Sequence, residues 1–271
     1  MNVLITGAAG GLGRALAAEC GRRGYHLFLT DVNEEGLRRI QSGLERQFGV
    51  TVTAKACDLT SAESVDEMLA VIDRHGLRFD MLLNVAGLDF EGGFMERERE
   101  SIVKIVSLND AATLRITHAV LERRRPGRHF TVVFVSSLAS MFPMPLKATY
   151  AASKRFLLDF AVSLRQELKN QDANVLVLCP GGMVTTKEAM EGIAAQGFWG
   201  GATTNPLEVV ARKTLDRALK GKGVYVPGAL NRVLSFFGKI IPSSCAAAVI
   251  YRRWSRAQSK WLPPAAPRGA G

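Results

Sequence analysis

Short apolar runs alternate with helical patterns along the first 228 residues, and this alternation constrains the fold more than any other feature. Residues 3–6 read as an apolar strand and residues 13–24 as a helix closed by glycine. Residues 26–30 form a second strand pattern, 34–47 a charged amphipathic helix and 50–56 a third strand. A helix over 61–74 has a serine at its cap position and acids in its first turns. Strands follow over 81–85, 130–136, 174–179 and 223–226, separated by helical patterns over 98–124 and 149–170. Strands apolar on both faces and separated by helices predict a parallel sheet covered on two sides. In such a doubly wound α/β fold, of about seven strands here, ligands bind at the C-terminal ends of the strands.

At 271 residues the chain buries enough surface to need no disulfide or structural metal. Cys20, Cys57, Cys179 and Cys245 are widely spaced without a C-x-x-C pair, and three lie in apolar or strand-like surroundings, as reduced thiols do. The four histidines lack metal-ligand spacing, so no metal site is expected. The opening residues do not resemble a secretory signal, and no apolar stretch reaches the ~18 residues of a membrane span. A cytoplasmic location is expected.

Between the first strand and first helix lies Thr6-Gly7-Ala8-Ala9-Gly10-Gly11-Leu12-Gly13. Glycines there let the chain turn sharply and bring its backbone close to a pyrophosphate, while the helix N-terminus offers N–H groups to the phosphates. The strand-loop-helix context gives the motif its meaning. Asp31 ends the second strand, 18 residues beyond Gly13, where a carboxylate can accept hydrogen bonds from the adenosine ribose. Its charge opposes a 2′-phosphate, and no basic residue immediately follows it, so NAD is expected rather than NADP. A helix N-cap is the other use of an aspartate at this position. Arg14 offers a competing positive charge near the phosphates.

Tyr150 and Lys154 stand four residues apart on one helical face. A phenol titrates near ~10, and a neighbouring ammonium lowers that value toward a usable general acid/base. Alone, the spacing is common by chance.

With its company, the chain resembles the short-chain dehydrogenase/reductase family over about residues 1–228. The loop T-G-x-x-x-G-x-G is carried by Thr6, Gly7, Gly11 and Gly13. Asp58-Leu59 follows the third strand, and Asn84-Val85-Ala86-Gly87 matches the family's N-N-A-G turn with valine in place of its second asparagine. Asn109 matches a helix asparagine, and Ser137 lies 13 residues before Tyr150. Pro180-Gly181, then Thr185, follow the sixth strand. Gly10 also admits the loop pattern of longer two-domain relatives, but chain length and the Ser137–Tyr150 spacing favour the shorter, single-domain, Rossmann-type subfamily.

The resemblance implies roles. Tyr150 would move the proton to or from the alcohol oxygen, and Ser137 would hydrogen-bond that oxygen. Lys154 would hold the nicotinamide ribose and depress the tyrosine pKa, and Asn109 would anchor a relay water. Gly7, Gly11, Leu12, Gly13 and Asp31 would bind the adenosine half of the cofactor, Asp58 and Leu59 would contact the adenine, and Asn84, Ala86 and Gly87 would line the cofactor. Pro180, Gly181 and Thr185 would meet its nicotinamide side. The implied activity interconverts a secondary alcohol and a ketone with NAD, the cofactor carrying the hydride. Homodimers or homotetramers would form through the helices over 98–124 and 149–170.

Substrate contacts are expected from residues 138–146, 88–90 and 183–199, where Met141, Phe142, Met144, Met183, Met190, Phe198 and Trp199 are bulky candidates. They fit an apolar steroid- or fatty-acyl-like substrate; packing of the loops on the sheet is the alternative use of these side chains. A small polar carbonyl or polyol, and a non-catalytic NAD-binding scaffold at a membrane, are the competing readings. Residues 185–205 read as a mobile loop or lid.

The net charge of +10 sits at one end: residues 206–271 hold 12 basic and 2 acidic side chains, and no acid follows Asp216. The expected division is a catalytic unit over 1–228, an apolar and basic extension over 229–262 and a disordered tail over 263–271. The extension could meet a membrane surface, a neighbouring subunit or only solvent. No motif for nucleic acid accompanies its charge.

Overall fold

The computed structural model describes residues 1–184 and 198–258. Seven parallel strands form one sheet in the order β3-β2-β1-β4-β5-β6-β7. They are β1 (Asn2–Thr6), β2 (His26–Asp31), β3 (Val52–Ala56), β4 (Met81–Asn84), β5 (Phe130–Val135), β6 (Ala173–Leu178) and β7 (Val224–Tyr225). The order reverses between β1 and β4, which opens a crevice at their C-terminal ends. The register places Thr6 beside both Thr30 and Asn84, so these strand ends meet at the crevice.

Alternation along each strand divides the core in two. Val3, Ile5, Leu29, Leu83, Val133 and Leu176 pack against α1 (Gly11–Arg22), α2 (Glu34–Phe48) and the later helix Leu207–Leu219. Leu4, Phe28, Leu82, Val132, Phe134 and Val177 face α3 (Ala62–Arg74), α5 (Thr113–Leu121) and α6 (Ala148–Glu167). Each fully buried side chain of this kind contributes about 1.5–3 kcal/mol. Helix ends follow local chemistry: the Ser61 hydroxyl accepts from Ser64 N at 3.2 Å, and Gly49 takes a left-handed conformation (φ 64°) to close α2.

The long helix expected over 98–124 divides into α4 (Arg99–Val106), a π-helical segment Ser107–Ala112, and α5. The region expected to be irregular contains a short helix, α7 (Phe198–Thr203), followed by α8 (Leu207–Leu219). The C-terminal extension forms α9 (Ala229–Ile240) and α10 (Ser243–Gln258). Thr185, Met190 and the tail over 263–271 lie outside the described residues, as do the side chains of Phe198 and Trp199. Cys20, Cys57 and Cys179 are buried free thiols and Cys245 is an exposed one. Among the described residues no helix is long and apolar enough to cross a membrane.

Candidate active site

The glycine loop leaves β1 and folds tightly on itself. Gly10 N donates to Gly7 O, and a Cβ at Gly13 would stand 2.1 Å from that same oxygen. Gly7 has φ +63° and lies so close to Ala86 that a Cβ would come within 2.7 Å of its backbone. Thr6 locks this approach: its hydroxyl accepts from Val85 N at 3.0 Å and Ala86 N at 3.2 Å. Gly11 begins α1, with Leu12 buried beneath the loop. A loop this close to its neighbours, at a helix N-terminus, fits the pyrophosphate of a dinucleotide.

Asp31 lies beside the loop. Its carboxylate accepts from Ala9 N at 2.9 Å and Asn33 N at 3.0 Å. The N-cap of α2 is Asn33, whose side chain accepts from Gly36 N, so Asp31 is not that cap. Asp58 accepts from the Thr60 hydroxyl and amide, which hold its carboxyl below the usual range. Leu59 is buried in the core, so its side chain is unavailable for an adenine contact. Asn84 also departs from expectation. Its amide is buried and donates to the Thr117 hydroxyl at 3.0 Å, fastening β4 to α5.

At the end of β5, two sets of hydrogen bonds position Lys154 on one side and Asn109, Tyr150 and Ser137 on the other. Ser136 Oγ donates to Lys154 O at 2.6 Å, and Lys154 Nζ donates to Val135 O at 3.0 Å, which pins α6 to the strand. Asn109 Nδ2 donates to Ser153 Oγ at 3.0 Å, and Ser153 Oγ donates to Tyr150 O at 2.8 Å. The Asn109 amide also pairs with Leu88 N and O, so both of its N–H groups are used by the protein. Its side chain therefore braces the Gly87–Leu88 turn against α6. The expected water-holding role does not fall to those N–H groups. A Cβ at Gly87 would stand 3.1 Å from Lys154 Nζ, so glycine leaves room at the ammonium. The π-helical segment sets Asn109 at this point, a common use of such segments. Beside it Asp110 keeps one oxygen buried without a partner, and burial raises its carboxyl to about 6.

The electrostatics differ from the expectation for the tyrosine. Burial, and after it Asp89, push the Tyr150 phenol up, the Ser137 hydrogen bond and Lys147 oppose them, and the phenol is raised to about 12. Lys154, 5.8 Å from the ring centroid, is itself lowered to about 8 by burial. A second cation, Lys147, also lies beside the phenol and lowers its pKa, and no motif spacing singles it out. Its ammonium lies 5.4 Å from the Tyr150 ring centroid and pairs at 2.6 Å with both Asp89 and Glu91. Leu146, held in the left-handed region at φ 68°, precedes it. Two carboxylates from the segment after β4 and one ammonium from the start of α6 converge here, a pairing that only proximity in the fold reveals.

Replacing Lys147 by methionine is expected to raise the Tyr150 pKa and move the rise of alcohol oxidation with pH to higher pH, while Asp89→Asn moves it lower. The pH profile of kcat/KM checks both. Shifts of the same sign in the two variants would contradict the assignment.

Of the candidate substrate residues, Met141 is buried in the core between the sheet and α6, while Met183 is partly buried against the core on the opposite face, so both serve packing. Phe142 is partly buried and Pro180 O accepts from Leu138 N at 2.7 Å, holding the loop after Ser137 to β6. Gly181 stands where a Cβ would meet Thr203 O at 2.4 Å.

A parallel sheet with a glycine loop at its switch point and a serine, tyrosine and lysine at the end of β5 defines a nucleotide-dependent oxidoreductase site. The short chain dehydrogenase family model matches residues 1–194, and the chain belongs to that family. It is an oxidoreductase of the kind that acts on a carbonyl or CH–OH group. The very-long-chain 3-oxoacyl-CoA reductase of Laccaria bicolor is 29% identical over 179 residues, which are 64% of this chain and 52% of that protein. The match thus spans about half of that relative's length. The 3-oxoacyl-(acyl-carrier-protein) reductase FabG of Escherichia coli is 28% identical over 241 residues, 85% of this chain and 97% of that one. A short-chain dehydrogenase from Sphingobium yanoikuyae in complex with NADPH superposes with a TM-score of 0.70 at 23% identity, covering 100% of this chain and 98% of that one. At that identity the likeness is one of fold.

Proposed function

We propose that this enzyme interconverts a ketone and a secondary alcohol with NAD(H), on an apolar, fatty-acyl-like substrate. The observation that carries the reading is the convergence of Ser137, Tyr150 and Lys154, braced by Asn109, beside the glycine loop. When bound, the nicotinamide supplies or accepts the hydride. Gly7, Gly11 and Gly13 would carry the pyrophosphate, and Ala86, Gly87, Lys154, Pro180 and Gly181 the nicotinamide side; Asp58 would reach the adenine. Ser137 donates to the substrate oxygen and stabilises its developing charge. Tyr150 gives that oxygen its proton in reduction and takes it back in oxidation. Its high pKa suits the donor role, since the phenol stays protonated at neutral pH.

Asp31 supports NAD. Its charge stands at the loop and opposes a 2′-phosphate, and the residues that immediately follow it, Val32 and Asn33, are not basic. Asp31→Ser is expected to improve kcat/KM for NADPH by about tenfold or more and to weaken NADH use, as removal of one close like charge implies. Equal preference in both proteins would exclude this role for Asp31.

The 3-oxoacyl relatives support the acyl reading. Initial rates along a series of straight-chain 3-oxoacyl thioesters test it. Each added methylene that enters an apolar pocket should raise kcat/KM by roughly fourfold, the equivalent of ~0.8 kcal/mol. A flat series, with better turnover of a polyol, would reverse the choice. A homo-oligomer is part of the proposal, because Val103, Val106, Leu114, Phe156 and Val162 expose apolar surface on α4, α5 and α6.

A further inference from the structure

The C-terminal helices turn their apolar side chains outward. On α9, Val233, Phe236, Phe237 and Ile240 recur at helical spacing and are 49–62% exposed. The opposite side of the helix faces the protein. Asn231 is buried there and donates to Thr203 O and Pro227 O. Gly238 lies against the loop after Ser137, where a Cβ would stand 2.7 Å from Met141 O. On α10, Val249 is 67% exposed as well. A contiguous apolar stripe of this kind marks an interaction surface.

Charge selects the partner. Arg232 is exposed one turn before Phe236, and Arg252 is exposed just after Val249. No acidic residue follows Asp216, so a second copy docking on the same face would set cation against cation. An anionic bilayer offers the complementary charge together with an apolar interior. The surface also borders the site. Trp254 of α10 covers Lys147 at 5.6 Å, and Lys147 in turn lies over the Tyr150 ring.

We propose that α9 and α10 seat the enzyme on an anionic lipid surface, with Phe236, Phe237 and Ile240 entering the acyl boundary and Arg232 and Arg252 among the headgroups. The site mouth then opens beside a reservoir of apolar substrate, a purpose that rests on the acyl reading above; the docking itself does not.

The test is flotation of the full chain with vesicles of phosphatidylcholine alone and of phosphatidylcholine with phosphatidylglycerol. The protein should rise with the anionic vesicles, remain below with the neutral ones, and lose binding as salt is added. Phe236→Asn with Phe237→Asn should lower the bound fraction by roughly tenfold or more. Arg232→Gln with Arg252→Gln should weaken binding and flatten its salt dependence. Both variants should keep wild-type NADH fluorescence and subunit number. A wild-type protein that does not float with anionic vesicles would overturn the proposal, as would undiminished flotation of the phenylalanine variant. A changed subunit number in that variant would assign the face to a second copy instead. None of these readouts depends on turnover, so the docking and the ketone reading can fail separately.

Discussion

Tyr150→Phe is expected to lower ketone reduction by about 10²–10⁴-fold while leaving NADH affinity unchanged within error. The substitution removes one hydroxyl and retains the ring over which the Lys147 and Lys154 ammonium groups lie at 5.4 and 5.8 Å. Packing and charge placement are therefore kept, and the proton donor is lost. The hydrogen bond that Ser137 shares with the phenol is lost too, but the Ser137 hydroxyl still accepts from Ala139 N at 3.1 Å. Rates in both directions, with NADH fluorescence titration, separate the two effects. Undiminished turnover would move the proton transfer to another residue.

The second large effect belongs to the glycine loop. Gly13→Ala should destabilise the protein by about 2–4 kcal/mol, which is a fall in Tm of roughly 5–15 °C, and should weaken NADH binding by more than about tenfold. The added Cβ would meet Gly7 O at 2.1 Å and Ala8 Cα at 2.9 Å, backbone atoms that cannot swing aside as a side chain could. Opening the loop to make room moves the N–H groups that face the phosphates. Gly43→Ala on α2 is the matched control, because a Cβ there meets nothing within 4 Å. It should stabilise the helix by about 0.5–1 kcal/mol. If the two variants behaved alike, close packing would not be the reason for glycine in the loop.

Much of the fold is legible because its signals are local. The strands β4, β5 and β6, apolar but for Asn84, Thr131 and Asn174, announce a sheet covered on both faces, and the observed sheet is parallel throughout. Ser61 caps α3 as its position in the sequence implies. Tyr150 and Lys154 share a helix face by their spacing alone. Other features depend on distance in space. The π-helical widening at Ser107–Ala112 follows no apolar period, yet it sets Asn109 against Ser153, 44 residues away in sequence. Lys147 meets Asp89 across 58 residues, so although residues 88–90 read as substrate contacts, the pairing of Asp89 with Lys147 is not legible in the sequence. Asn84 follows the alternation of its strand with Leu82 and turns to Thr117. A motif match does not state which way a side chain points. The C-terminal helices show the same limit, because an apolar stripe has the same pattern whether it faces a core or a solvent.

The most direct test of the account follows a single hydrogen. Purified enzyme is given NADH deuterated at the transferable ring carbon together with a long-chain 3-oxoacyl thioester, and the product is examined by mass spectrometry. The account predicts a 3-hydroxyacyl product carrying one deuterium at the carbinol carbon, formed by the wild-type protein and nearly absent with Tyr150→Phe. A protein that binds NADH tightly but forms no labelled alcohol from this or any other ketone would contradict it.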